Sequence, residues 1–164
     1  MTEATQRAHL KTIIDSVANI GQTYDYLVWA MHWSDILSKF KTTISGDDVI
    51  RGWTMEVRAI PGETITWEYN STGKSTAVVL RSYRWVIHGF LSLKDDSEKT
   101  AAALGEVVAN ALDLDSDLHD QDAYYNDTPP CSIDVMELRN FGGVLCHYIE
   151  ISQQLQETTA LKEA

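Results

Sequence analysis

Cysteine and proline are scarce in this chain: its 164 residues hold two Cys, three Pro and nine Gly. Two thiols, Cys131 and Cys146, cannot build the dense disulfide framework of a small secreted fold, and they fit a reducing compartment. The apolar fraction of 44% excludes wholesale disorder. Basic residues are few as well, 13 against 24 acids, for a formal charge of −11. That balance excludes the basic patch with which a duplex-binding module grips phosphates, and an anionic membrane surface would repel it. No run approaches the roughly 18 apolar residues of a membrane-spanning helix, and Met1–Leu10 has no apolar core of a secretory signal, so neither is expected.

What is present suffices for a core. A chain of this length forms one domain and buries on the order of two-thirds of its unfolded surface, so it needs no metal or disulfide staple. The charge is unevenly spread. Residues 1–50 carry −2, residues 51–93 carry +2, and residues 94–164 carry −11. Arg51, Arg58, Lys74, Arg81 and Arg84 make the middle the only basic stretch, and the particle is expected to be polarised with one acidic surface.

Hydrophobic spacing orders the elements. Leu10, Ile13, Ile14 and Val17 follow the helical rule over about Thr5 to Asn19, with Gly21 placed as a C-terminal cap. Trp29, Trp33, Ile36, Leu37 and Phe40 repeat at helical spacing, and Ile44 to Asp48 reads as a loop. From Gly52 the period becomes two: Trp53, Met55, Val57 and Ala59 form one face of a strand ending at Pro61-Gly62. Ile65 to Tyr69 is a second strand turning at Asn70 to Gly73, and Thr76 to Leu93 is a long third one. Gly89 inside it predicts a bulge or a close backbone approach.

Asp95, Asp96 and Ser97 start a helix striped by Ala101, Leu104, Val107, Val108 and Ala111. An acidic loop runs from Asp113 to Pro130. Strands Ser132–Arg139 and Gly143–Ser152 close the chain, and the polar tail from Gln153 is expected to fray. The predicted fold is α+β, a single domain over 1–164, with a mainly antiparallel sheet, helices packed on one face and an extended central hairpin.

Motifs that would carry catalysis fail in detail. Thr72-Gly-Lys-Ser75 resembles the end of a phosphate-binding loop, but the Gly required five residues before Gly73 is Glu68. Asp113, Asp115 and Asp117 imitate the first ligands of a calcium loop, yet Leu118 and Tyr124 occupy the positions of its essential Gly and Glu. His9, His32, His88, His119 and His147 show no metal-ligand spacing, and adjacent Cys146 and His147 point to opposite faces of a strand. Asn70-Ser-Thr72 and Asn126-Asp-Thr128 match the glycosylation acceptor, which has no meaning without a secretory signal. No cofactor, metal or catalytic group is expected. Of the five tryptophans, Trp33 and Trp85 are expected in the core. Trp67, in a hairpin, is the best candidate for burial against another chain, since Trp is enriched in interface hot spots.

Three strings in a common order carry a family resemblance. They are Asp25-Tyr-Leu-Val-Trp29 with Trp33, Ile50-Arg-Gly-Trp53 leading to Arg58, and Phe141-Gly-Gly-Val-Leu-Cys-His-Tyr-Ile-Glu150. Over roughly residues 5 to 155 the chain resembles the tail-terminator (neck) proteins of long-tailed bacteriophages. The resemblance implies a non-enzymatic virion subunit, assembled in the host cytoplasm, that closes into a homo-hexameric ring. Such a ring caps the tail tube, ends its polymerisation and offers a surface to the head-completion protein, while DNA passes through the lumen without specific binding. It also implies that the hairpin Thr54 to Leu80 reaches toward a neighbour. On this basis Arg51, Trp53, Arg58, Trp67, Lys74 and Arg81 are candidates for a subunit or tail-tube interface. Asp113, Asp115, Asp117, Asp120 and Asp122 are candidates for an acidic lumen or partner surface that repels passing phosphates. The family pattern does not place the acidic loop. The rival expectations are another neck component, or a small ligand-binding or adaptor α+β domain.

Overall fold

The structure, a computed structural model, describes residues 3–69, 75–93, 97–115 and 130–161. Helix α1 (Glu3–Ser16) leads to a two-residue strand β1 (Gln22–Thr23) and a short helix α2 (Trp33–Lys39). Strands β2 (Lys41–Ile44), β3 (Asp47–Tyr69) and β4 (Ser75–Ser92) follow. Helix α3 (Ser97–Asp113) precedes the closing strands β5 (Ser132–Phe141) and β6 (Val144–Leu161). The sheet runs β1-β3-β4-β6-β5, with β2 paired to β3. Every pairing is antiparallel except that of β1 with β3. The chain is thus α+β with a mostly antiparallel sheet, as its periodicity predicts.

The period-two pattern decides the two faces. Trp53 and Ile149 flank Gly89 in the ladder, and with Met55, Trp85, Ile87 and Ile151 they face one way. Leu10, Ile13 and Ile14 of α1 and Ala101, Leu104, Val108 and Leu112 of α3 close over them as the main core. The intervening residues Phe90, Tyr148 and Cys146 face the other way, where Ile36, Leu37 and Phe40 make a second, smaller cluster with Val28 and Phe141. Helices therefore pack on both faces, α1 and α3 on one and α2 on the other. The expectation of one face misses α2, because a seven-residue helix shows too little periodicity to assign a side.

Gly89 makes a close approach, the second of the two expectations for it. A Cβ there would lie 2.7 Å from the Trp53 ring, whose buried indole N–H donates to the Ile20 carbonyl at 3.1 Å. Gln6 does similar tethering from α1: its side-chain carbonyl accepts from the Trp85 indole at 3.0 Å, and its amide donates to the Gln156 carbonyl at 3.2 Å. Buried polar groups paired this way cost little and hold the helix to one position.

Four boundaries differ from expectation. Helix α1 stops at Ser16, and Gly21 lies beyond its end, pressed on the Arg51 carbonyl rather than capping the helix. The expected loop at Ile44–Asp48 is a tight hairpin: Ser45 and Gly46 both take positive φ, 54° and 87°, which suits the twist of paired strands. Strand β3 does not end at Pro61-Gly62. Register shifts between Val57 and Ala59 and between Ala59 and Gly62 absorb Pro61, which has no N–H to give the ladder. Finally, the polar tail does not fray at Gln153. Residues Gln153–Leu161 continue β6 as partners of Ala77–Trp85. The Asn70–Gly73 turn, Lys94–Asp96 and the loop segment 116–129 lie outside the described residues.

Substituting Gly89→Ala is expected to force the Trp53 ring aside and cost about 1–3 kcal/mol, lowering the melting temperature by roughly 3–10 °C. A thermal melt checks it, and an unchanged midpoint would show that the contact carries no constraint.

Candidate functional site

The second face of the sheet is covered only in part, and the gap is a pocket of about 390 Å³. Its roof is the irregular segment Leu27–Met31 with Trp33 and Ile36 of α2, and its floor includes Thr54, Glu56, His88, Phe90 and Tyr148. Thr54 fastens the roof. Its hydroxyl accepts from the Val28 amide at 3.0 Å and donates to the Tyr26 carbonyl. Aromatic packing shapes the inner wall, with Trp33 4.7 Å from Phe141 and Phe90 5.2 Å from Phe141, centroid to centroid.

A polar cluster underlies this pocket. His88 is 5% exposed. Its Nε2 lies 3.2 Å from Glu56 Oε1, and its Nδ1 lies 2.7 Å from the Tyr148 hydroxyl. That hydroxyl also lies 2.9 Å from Glu150 Oε2. Arg58 closes the circuit, donating through Nε to Glu56 at 2.8 Å and through a terminal nitrogen to Glu150 at 2.6 Å. Arg139 lies over the Tyr148 ring, 4.0 Å from its centroid.

The electrostatics follow from burial and pairing. Burial lowers the His88 pKa below its ordinary value, against the pull of Glu56. Burial would raise Glu150, but hydrogen bonds from Tyr148 and Arg58 outweigh it and hold the carboxyl below its usual range. Burial, then the hydrogen bond to Glu150, pushes the Tyr148 phenol up. The Glu56 hydrogen bond raises Arg58 further. Both His88 nitrogens are thus engaged by the chain itself, and the Tyr148 proton serves either His88 or Glu150 at one time. The cluster braces a pocket floor whose accepting group toward the cavity is Glu56.

Beside the pocket lies an exposed apolar strip. Tyr26, Leu27, Trp29, Met31 and Trp33 are 48%, 46%, 75%, 84% and 45% exposed within eight residues. Contiguous exposure of this kind marks an interaction surface, whereas scattered apolar residues do not. Trp33, expected in the core, is half exposed as the rim of this strip. Trp85 is in the core as expected.

The sequence-based candidates do not assemble into one site. Trp53 is fully buried in the main core, so its indole faces no neighbour and it is withdrawn from the interface set. Arg51 is half-buried and donates to the Asn19 carbonyl at 2.9 Å, holding the turn after α1. Arg58 is committed to Glu56 and Glu150 of its own chain. Asp113 accepts from the Cys131 amide at 2.7 Å and Asp115 lies 2.9 Å from His9, so both fasten α3 to its surroundings rather than forming an open acidic wall. Arg81 is half-buried on β4, opposite Glu63 and Glu157 in the ladder. Trp67 is 61% exposed on the distal part of β3, with Ile65 beside it at 55%. Lys74, Asp117, Asp120 and Asp122 lie outside the described residues.

Glu56, His88 and the Tyr148–Glu150 pair escaped the reading because they stand 32 to 94 residues apart. Only the ladder pairing Thr54 with His88 and His88 with Glu150 joins them. The Tyr26–Trp33 strip holds five large apolar residues within eight, but the helical spacing of Trp29 and Trp33 with Ile36 reads as a packed helix and hides it. No protein-family model matches the chain, and no curated protein matches it either.

Because His88 has a lowered folded-state pKa, the unfolded chain binds its proton more tightly. Its contribution is present above the ordinary histidine value near 6.5 and is lost as pH falls below it. Chemical unfolding followed from pH 7.5 to 5 is expected to show stability falling with acid, and His88→Gln is expected to flatten that limb. An equal slope in both proteins would remove His88 as its source.

Proposed function

We propose that this chain is the tail terminator of a long-tailed bacteriophage, a structural subunit that closes into a hexameric ring on the end of the tail tube. The observation that carries the reading is the presence of two unlike apolar patches on one chain. One is the Tyr26–Trp33 strip around the pocket, and the other is the Ile65–Trp67 face of the β3–β4 arm. A head-to-tail ring needs such a pair, because every subunit gives one patch and receives the other. A two-fold dimer would need only one self-complementary patch.

The charge supports the same role in modified form. Arg58 is neutralised inside its own subunit, so a basic hairpin against an acidic half no longer serves as the ring contact. Apolar burial replaces it. The net charge of −11 still suits a channel that must let phosphates pass without holding them. The resemblance to neck proteins in the order of the three strings supplies the tail-end location and the partners: the tail-tube protein below and the head-completion protein above.

A second reading has an observation in its favour. A pocket of about 390 Å³ with mostly apolar lining and an acidic floor is the form of a small-ligand site. That reading makes the chain a monomer whose stability rises on binding an apolar amine or aromatic compound.

Disrupting the gene for this chain in the phage that encodes it tests the assignment. Electron micrographs are expected to show tail tubes of irregular, excessive length without a cap and unjoined to heads. Tails of normal length with a capped end would overturn it.

A further inference from the structure

We infer that the pocket on the second face is the seat for Trp67 of a second copy of the chain, an inference that rests on the ring-forming reading above. The pocket's chemistry selects the guest. Trp29, Met31, Trp33, Phe90 and Phe141 offer apolar and aromatic wall, so the guest needs a broad apolar body. At the floor, the nitrogens of His88 and the hydroxyl of Tyr148 are spent on one another and on Glu56 and Glu150. Glu56 Oε1 accepts from Arg58 and His88, which leaves the second oxygen of the carboxylate to accept from the cavity side. Arg139 also lines the pocket, with its guanidinium over the Tyr148 ring, so the complementary guest is a large electron-rich ring whose one donor meets Glu56 and whose face can meet a cation. Among side chains that is the indole.

The supply of such groups is narrow. Among the described residues the exposed tryptophans are Trp29, Trp33 and Trp67. The first two build the rim of the pocket itself. Trp67 stands on the arm with Ile65 two positions away, so both side chains leave the same side of the strand. It cannot turn back into its own pocket. Eleven residues of continuous strand separate it from Glu56, about 35 Å at the usual rise per residue, beyond the reach of any side chain.

The exposed parts of Trp67 and Ile65 offer roughly 250 Å² to the strip, about a third of the roughly 800 Å² per partner of a stable interface, so the indole is the anchor of a wider contact. The arm and the pocket are different surfaces of one chain, so each copy inserts one indole and receives another, the head-to-tail contact that the ring-forming reading requires.

Two measurements on the full-length chain test this. In the double variant Met31→Cys/Ile65→Cys, which keeps Trp67, mild oxidation is expected to give disulfide-linked species up to the closed ring. The native thiols do not compete, since Cys146 is buried and Cys131 is held by the Gln153 side chain. Trp67→Ala, at an exposed position that leaves the fold and its circular dichroism intact, is expected to raise the concentration for half-assembly by about 30-fold. Rings that form at the normal concentration in Trp67→Ala, with no intersubunit disulfide in the cysteine pair, would overturn the seat while leaving the ring reading standing. A native chain that stays monomeric at every concentration would overturn both.

Discussion

The packing of the Trp53 indole on Gly89 is the contact on which the rest of the structure depends. It lies at the middle of the β3–β4–β6 ladder, where the absent side chain of Gly89 lets a full indole lie flat against the sheet. The indole N–H then reaches the Ile20 carbonyl and draws the end of the α1 connection onto β3, where β1 can pair in parallel. Helices α1 and α3 close over this face and exclude water from it. The parity set here propagates along every strand: once Trp53, Ile87 and Ile149 face inward, Glu56, His88, Tyr148 and Glu150 must face the other way.

The consequence is a sheet with one sealed face and one face covered only in part. A buried histidine between two carboxylates would be costly alone, since desolvating unpaired charge costs several kcal/mol. Here each group meets a partner: Arg58 spans Glu56 and Glu150, and Tyr148 bridges His88 to Glu150. The cluster leaves a floor of fixed shape beneath a pocket whose roof, Leu27–Met31, is held by the side chain of Thr54. A rigid floor under an exposed apolar rim is preorganised for a guest, because little side-chain freedom remains to be lost on binding.

Most of the fold was legible in the residues, and the site was not, for one physical reason. Helices α1 and α3 and the strand faces are local patterns, so Leu10, Ile13 and Ile14, or Trp53 and Met55, reveal them unaided. Gln153–Leu161 misled because its polarity reads as solvated tail, whereas β4 supplies the partner that makes it a strand. Pro61 misled because its missing N–H reads as a strand end, whereas two register shifts accommodate it. Trp53 was misplaced in the interface because a tryptophan's identity says nothing of which side of a strand looks outward. Glu56, His88, Tyr148 and Glu150 are ordinary residues in three strands, and their meeting exists only in the cross-strand register. Trp67 was read as exposed, and it is.

The central claim is that unlike patches on one chain close it into a ring. Electron microscopy of the purified full-length chain, with and without tail-tube protein, tests it most directly. The account predicts six-fold rings with an open central channel. Isolated single subunits, or open filaments that never close, would contradict it.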